Sequence, residues 1–243
     1  MKKTLFAVGM LLLLNFAFSA NGAQWEYSGE AGPDNWAKLS PEYSACAGKN
    51  QSPINLTGFI EAKLKPIVFH YRDGKAEILN NGHTVQINVP PGSSISVDGI
   101  LFDLTQFHFH APSENLINGK SFPLEAHLVH TDKDGSLAVV AVMFTEGKAN
   151  QALEKAWAQM PEKEGDKLVL SSSISPQEIL PPNRDYYRFN GSLTTPPCTE
   201  GVRWLVMKHP IPASKEQIER FAHVMHHPNN RPVQPVNARP VLK

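Results

Sequence analysis

The sequence is short of cysteine, of net charge and of long apolar runs, and each shortage removes a class of protein. Its two cysteines, Cys46 and Cys198, stand far apart in 243 residues, so the chemistry of a Cys-x-x-Cys motif is absent. The 23 basic residues balance 23 acidic ones. That balance gives no electrostatic basis for binding nucleic acid or an anionic membrane surface, and points instead to a small-molecule partner. His-Glu-x-x-His, Gly-x-Ser-x-Gly and a glycine-rich phosphate loop are all missing, which removes the corresponding protease, hydrolase and nucleotide-binding readings. No internal repeat, low-complexity tract or linker divides the chain.

One long apolar run is present, from Leu5 to Phe18, preceded by Lys2 and Lys3 and followed by small residues. That is the layout of a secretory signal peptide. The run is short for a membrane span and no later segment is long and apolar enough, so no membrane attachment is expected once it is removed. Cleavage is expected between Ala20 and Ala23, giving a signal peptide over 1–23 and one domain over 24–243. Such a domain has 220 residues, with 21 basic against 23 acidic side chains, and is large enough for a substantial core. An even cysteine count in an exported chain argues for one disulfide, worth roughly 4–5 kcal/mol across so long a loop. Two buried thiols are the alternative.

What is there reads mainly as β-structure. Runs such as "AEILNNGHTVQINV", "SISVDGILFDLTQFHFH", "FPLEAHLVHT", "LAVVAVMF" and "RWLVMK" are bounded by Gly, Pro and Asn. Helical patterns are few: "NQALEKAWAQM", a short "SPQEIL" with Ser175 as candidate cap, and "SKEQIERFAHVMHH" with the capping pair Ser214 and Gln217. The expected fold is therefore a single mainly β (α+β) domain on a large, mostly antiparallel twisted sheet, with a few short peripheral helices. Twenty prolines suit strand ends and surface loops.

Chemistry concentrates in "QFHFHAPSEN". Alternation along a strand puts His108 and His110 on one face and Phe109 on the other, so two imidazoles can converge on one ion. His127, in "LEAHLVH", follows after a loop of about fifteen residues, consistent with an antiparallel neighbour that brings a third ring beside them. Three neutral histidines with an open fourth position is the layout of catalytic zinc, whereas structural zinc would need a fourth protein ligand. On the residues alone, a His-x-His pair is also compatible with hydrogen-bonded core histidines. His70, His130, His209, His223, His226 and His227 read that way; His130 is offset from His127 by an odd number and so faces oppositely.

With these motifs in place, the resemblance is specific. "QSPINL", "NNGH", "QFHFHAPSEN", "EAHLVH", "YRFNGSLTTPPCTEGVRW" and "NNRPVQPVNAR" occur in the order found in the α-class carbonic anhydrases, in the form of the secreted bacterial members. The likeness runs from Trp25 to the C-terminal region. It implies one Zn2+ held by His108, His110 and His127, with Gln106, Glu125 and the carbonyl of Asn229 orienting the rings. It implies Thr194 as gatekeeper, Glu114 as its carboxylate partner and His83 as proton shuttle. Val129, Val139, Leu193, Thr194, Thr195, Val202 and Trp204 match the substrate pocket. Cys46 and Cys198 match the family disulfide, and Ser52-Pro53 and Pro196-Pro197 match positions of cis bonds. Animal members usually follow the His-x-His pair with Trp-Gly, where this chain has Ala111-Pro112.

The implied activity is reversible hydration of CO2 to bicarbonate and a proton, by attack of zinc-bound hydroxide with His83 exporting the proton. Sulfonamide-type and anion inhibitors, a homodimer and a periplasmic location are further expectations of the resemblance. A non-catalytic zinc-containing binding module on the same fold is the alternative, and relatives of that kind typically lack a ligand histidine. All three are present here.

Overall fold

The computed structural model describes residues 23–243. The expected signal peptide lies outside the described residues except for Ala23. Among the described residues thirteen strands follow in order: β1 (Asn55–Leu56), β2 (Val68–His70), β3 (Glu77–Asn80), β4 (Val85–Asn88), β5 (Ser94–Val97), β6 (Ile100–His110) and β7 (Leu116–Ile117), then β8 (Leu124–Thr131), β9 (Leu137–Glu146), β10 (Lys167–Val169), β11 (Tyr186–Ser192), β12 (Glu200–Met207) and β13 (Ile211–Ala213). Helices are short: α1 (Trp36–Leu39), α2 (Gln151–Trp157) and α3 (Lys215–Met225). No helix among the described residues is long and apolar enough to cross a membrane.

Eleven strands form one sheet, ordered β10-β3-β4-β6-β8-β9-β12-β11, with β5 and β2 extending from β6 and β13 lying on β9. Antiparallel pairing dominates in it, as the sequence predicts; the exceptions in this sheet are β12 and β13, which both run parallel to β9, while β1 and β7 pair in parallel in a separate two-stranded sheet. Central β9 is buried on both faces from Ala138 to Phe144, which explains its unbroken apolar run "AVVAVMF". One face of the sheet meets α2 and α3 through Phe109, Trp157 and Phe221, whose rings stack edge-on and face-on.

Helix ends follow their side-chain chemistry. The Ser214 hydroxyl accepts from Gln217 N and Ser214 N donates to Gln217 Oε1, closing the predicted capping box of α3. Ser175 does not cap with its side chain, and "SPQEIL" forms only a 3-10 turn over Pro176–Ile179. Pro176 presets that turn, and its bonds run from Glu178 N to Ser175 O and from Leu180 N to Gln177 O, three residues apart.

The strand that carries the histidines contains a register shift between Leu104 and Gln106. Before it, the even residues Phe102 and Leu104 point into the core; after it, the odd residues Phe107 and Phe109 do. One extra residue, Thr105, thus changes which parity faces the interior. The shift delivers Gln106, His108 and His110 together to the opposite face.

Candidate metal centre

His108 and His127 are directly opposed across β6 and β8, and His110 is opposed to Glu125. The antiparallel pairing expected from the loop between the strands therefore brings the three rings together. One ring nitrogen from each of His108, His110 and His127 lies within 4.8 Å of the other two. His110 and His127 are buried and His108 is half-buried.

The remaining nitrogen of each ring is occupied. His108 Nδ1 donates to Gln106 Oε1 at 2.8 Å and His110 Nδ1 to the Asn229 carbonyl at 2.7 Å, while His127 Nε2 donates to Glu125 Oε1 at 2.9 Å. These three acceptors fix the tautomers, leaving lone pairs on His108 Nε2, His110 Nε2 and His127 Nδ1. Burial is the largest cause holding all three imidazoles below the ordinary histidine range, strongly so for His108 and His127. Neighbouring rings add to the effect at His108 and His127, whereas the Asn229 bond and Glu125 oppose it at His110. Neutral rings with converging lone pairs are what a cation requires.

Glu114, which sequence context alone would leave on a solvated loop, is 1 % exposed. Its Oε2 lies 3.5 Å from His110 Nε2 and 3.8 Å from His127 Nδ1. Because those rings are neutral, these approaches are not ion pairs. His110 Nε2 and Glu114 Oε2 are buried without a hydrogen-bond partner. Two orphaned acceptors facing the same small space fit a metal ion with its bound water, and a dry core of histidines does not account for them. Burial pushes the Glu114 carboxyl well above its usual range, opposed by the nearby Thr194 hydroxyl and by Arg231.

Glu125 is fully buried and accepts four donors: the backbone N–H groups of Glu114 and Asn115, the Asn115 amide and His127. Asn229 is equally buried. Beyond its bond from His110, its amide donates to the carbonyls of His83 and Phe109 and its Oδ1 accepts from Ala111 N. A role beyond its carbonyl was not visible in the sequence. Arg231 contributes as well: its backbone N–H donates to Glu114 Oε1 at 2.9 Å, and its guanidinium binds Gln51 and the carbonyls of Ser52 and Cys46. Burial holds that guanidinium down to about 10, opposed by Glu114. "NNRP" carried no local signal for either residue.

Two cavities meet at His108 and Thr195. A polar one of about 130 Å³ is lined by Trp25, Tyr27, His83, Gln86, Gln106, His108, His110 and Thr195, among others. A smaller one, about 40 Å³, is walled by Val129, Val139, Leu193 and Trp204, with Thr194 and Thr195 beside His108 and His127. Its size suits a molecule of a few atoms. Val202, expected in the same wall, is buried in the apolar cluster containing Val139 and Trp204 and is not among the residues lining the cavity.

His83 occupies the β3–β4 turn, where Asn81 Oδ1 accepts from both His83 N and Thr84 N. Its ring stacks on Trp25 with centroids 3.7 Å apart. Thr194 and Thr195 sit on the loop after β11. That loop is tied to the N-terminal segment by the Cys46–Cys198 disulfide and held near Trp204 by the indole bond to Ser192 O. Ser52-Pro53 and Pro196-Pro197 are cis as expected, and Ala111-Pro112 is cis as well.

Comparison with known proteins agrees with this geometry. The family model for eukaryotic-type carbonic anhydrase matches residues 31–243. A carbonic anhydrase of Pectobacterium carotovorum is 49 % identical over 239 residues, spanning 97 % of this chain and 98 % of that one. A carbonic anhydrase of Klebsiella pneumoniae is 45 % identical over 246 residues and covers both chains in full. The solved α-carbonic anhydrase of Thermovibrio ammonificans, in complex with the inhibitor sulfanilamide, superposes with a TM-score of 0.90 at 53 % identity, over 91 % of this chain and 100 % of that one. Sequence, fold and the convergence of His108, His110 and His127 lead to one conclusion: the chain belongs to the eukaryotic-type, or alpha, carbonic anhydrase family, whose reaction is the reversible hydration of CO2.

Proposed function

We propose that His108 Nε2, His110 Nε2 and His127 Nδ1 hold one zinc ion and that the surrounding residues carry out reversible CO2 hydration on it. The observation that carries this reading is the set of three lone pairs within 4.8 Å, each on a ring whose other nitrogen is already bonded. Bound zinc supplies Lewis-acid activation of a water molecule, as it does throughout this family.

The chain's own residues do the rest. Three neutral imidazoles add no negative charge, so the cation's field is left largely uncancelled. A cation held by the three rings would favour ionised Glu114 despite its burial. Thr194 donates a hydrogen bond from its hydroxyl to Glu114 and accepts one from the attacking oxygen, which aims that oxygen at the apolar wall. Val129, Val139, Leu193 and Trp204 receive CO2, which has no net dipole and needs no polar partner. The Thr194 backbone N–H donates to the oxygen on which charge develops. His83 then takes the leaving proton through water in the polar cavity it shares with His108 and His110.

The test compares CO2 hydration by zinc-loaded and chelator-stripped protein. Stripping should abolish acceleration and zinc should restore it, while His110→Ala should lose bound zinc and activity together. A folded, zinc-loaded protein without acceleration would end the reading. Sulfonamides and simple anions should inhibit, in line with the sulfanilamide complex of the Thermovibrio ammonificans relative. We assign residues 24–243 as the mature domain, exported to the periplasm. A homodimer is the expected state and is checked by sedimentation.

A further inference from the structure

The turn that carries His83 does not stand alone. The 161–166 segment between α2 and β10 is docked along it by three hydrogen bonds. Asn80 N donates to Asp166 O at 3.1 Å, Gly165 N to Asn80 O at 2.8 Å, and the Asn80 amide to Pro161 O at 3.3 Å. The docking lays the Glu164 side chain directly over Gly82, the residue before His83. A Cβ on Gly82 would come within 2.7 Å of Glu164 Cδ and 2.8 Å of Oε1, so this approach requires the glycine, whose φ is +83°.

Charged and titratable groups face His83 from every side. Glu26 and Tyr27 lie on the N-terminal segment, Glu164 on the docked loop, and His227 beyond α3, with its ring 6.2 Å from that of Tyr27. His108 and His110 line the cavity on its inner side. Burial lowers the proton affinity of His83, Glu26 and Glu164 raise it, and His227 lowers it. Its Nδ1 is buried with no hydrogen-bond partner, so no acceptor on the chain holds a proton there and field effects carry more weight.

We propose that Glu164 is a positioning residue for proton export, its exposed carboxylate lying over Gly82 so that protonated His83 is favoured in the cavity it shares with His108 and His110. The inference rests on the assignment of His83 as shuttle. Without Glu164, Glu26 alone would oppose burial and His227, which leaves His83 a weaker base for collecting protons near neutral pH.

The experiment uses the zinc-loaded protein and the substitution Glu164→Gln, which keeps the shape of an exposed side chain and removes its charge. Titration of the His83 ring by NMR should move to lower pH by about half a unit, further in Glu164→Lys, and the difference should shrink at 0.5 M salt. In weak buffer kcat should fall about two- to threefold with its pH profile displaced the same way. The ratio kcat/KM should change much less, and added imidazole should restore kcat. A His83 titration unmoved in both variants overturns the proposal, as does a moved titration with an unmoved kcat profile. His83→Ala separates the two levels. If it lowers kcat in weak buffer while the Glu164 variants do not, only the role of Glu164 fails. If it has no effect, the shuttle assignment fails and takes this inference with it.

Discussion

At the scale of single residues, the site depends on side chains outside the three-histidine cluster. Glu125 shows this most clearly. All four of its bonds come from N–H donors, so Glu125→Gln would set its own NH2 group against one of them. That substitution should cost about 1–3 kcal/mol of stability and weaken zinc binding about 10–100-fold, read by chemical denaturation and by competition with a chromophoric chelator. Unchanged zinc affinity would contradict the orienting role. Legibility varied sharply at this scale. The two-residue spacing of His108 and His110 was readable because alternation on a strand is geometry. The Asn229 carbonyl, 119 positions from His110, had no pattern of its own and entered only through resemblance. Arg231 and Glu164 stayed hidden, since one acts through a backbone N–H and the other through a glycine's missing Cβ.

Whole elements were easier to read than their partners. Runs of β-branched and aromatic residues marked most strands, but nothing local shows that β12 and β13 lie parallel on β9, because a parallel pairing is decided by the connection. The odd offset of His130 was readable, and its consequence is testable. On the core face of β8 its Nε2 accepts from the Tyr71 hydroxyl at 2.8 Å and its Nδ1 donates to Ala138 O at 3.3 Å. Burial holds it down to about 3. The native state therefore keeps His130 neutral while the unfolded chain takes up a proton below about pH 6.5. Stability from this residue is complete above that pH and is lost progressively as pH falls towards 3. Between pH 7 and 4.5 the loss should be about 2–3 kcal/mol in urea unfolding. His130→Gln, which retains one donor and one acceptor, should reduce that difference, and an identical acid slope would contradict the account.

For the molecule as a whole, the Cys46–Cys198 bridge closes a separation of 152 residues and joins the N-terminal segment to the loop bearing Thr194 and Thr195. Reduction should remove roughly 4–5 kcal/mol and lower the thermal midpoint by about 10–15 °C, measured by calorimetry with and without reductant. Activity at room temperature should fall less than stability, because Trp204 and Ser192 still anchor one end of that loop. The extra residue at Thr105 has a molecule-wide consequence of another kind. The first half of β6 is matched to β5 in one phase and the second half to β4 in the other, while β8 spans both. A neighbouring strand that slid by one position to suit either half would be wrong for the other. The sheet therefore closes like a key with two offset cuts: the same offset that turns His108 and His110 away from the core leaves every slipped alignment a mismatch.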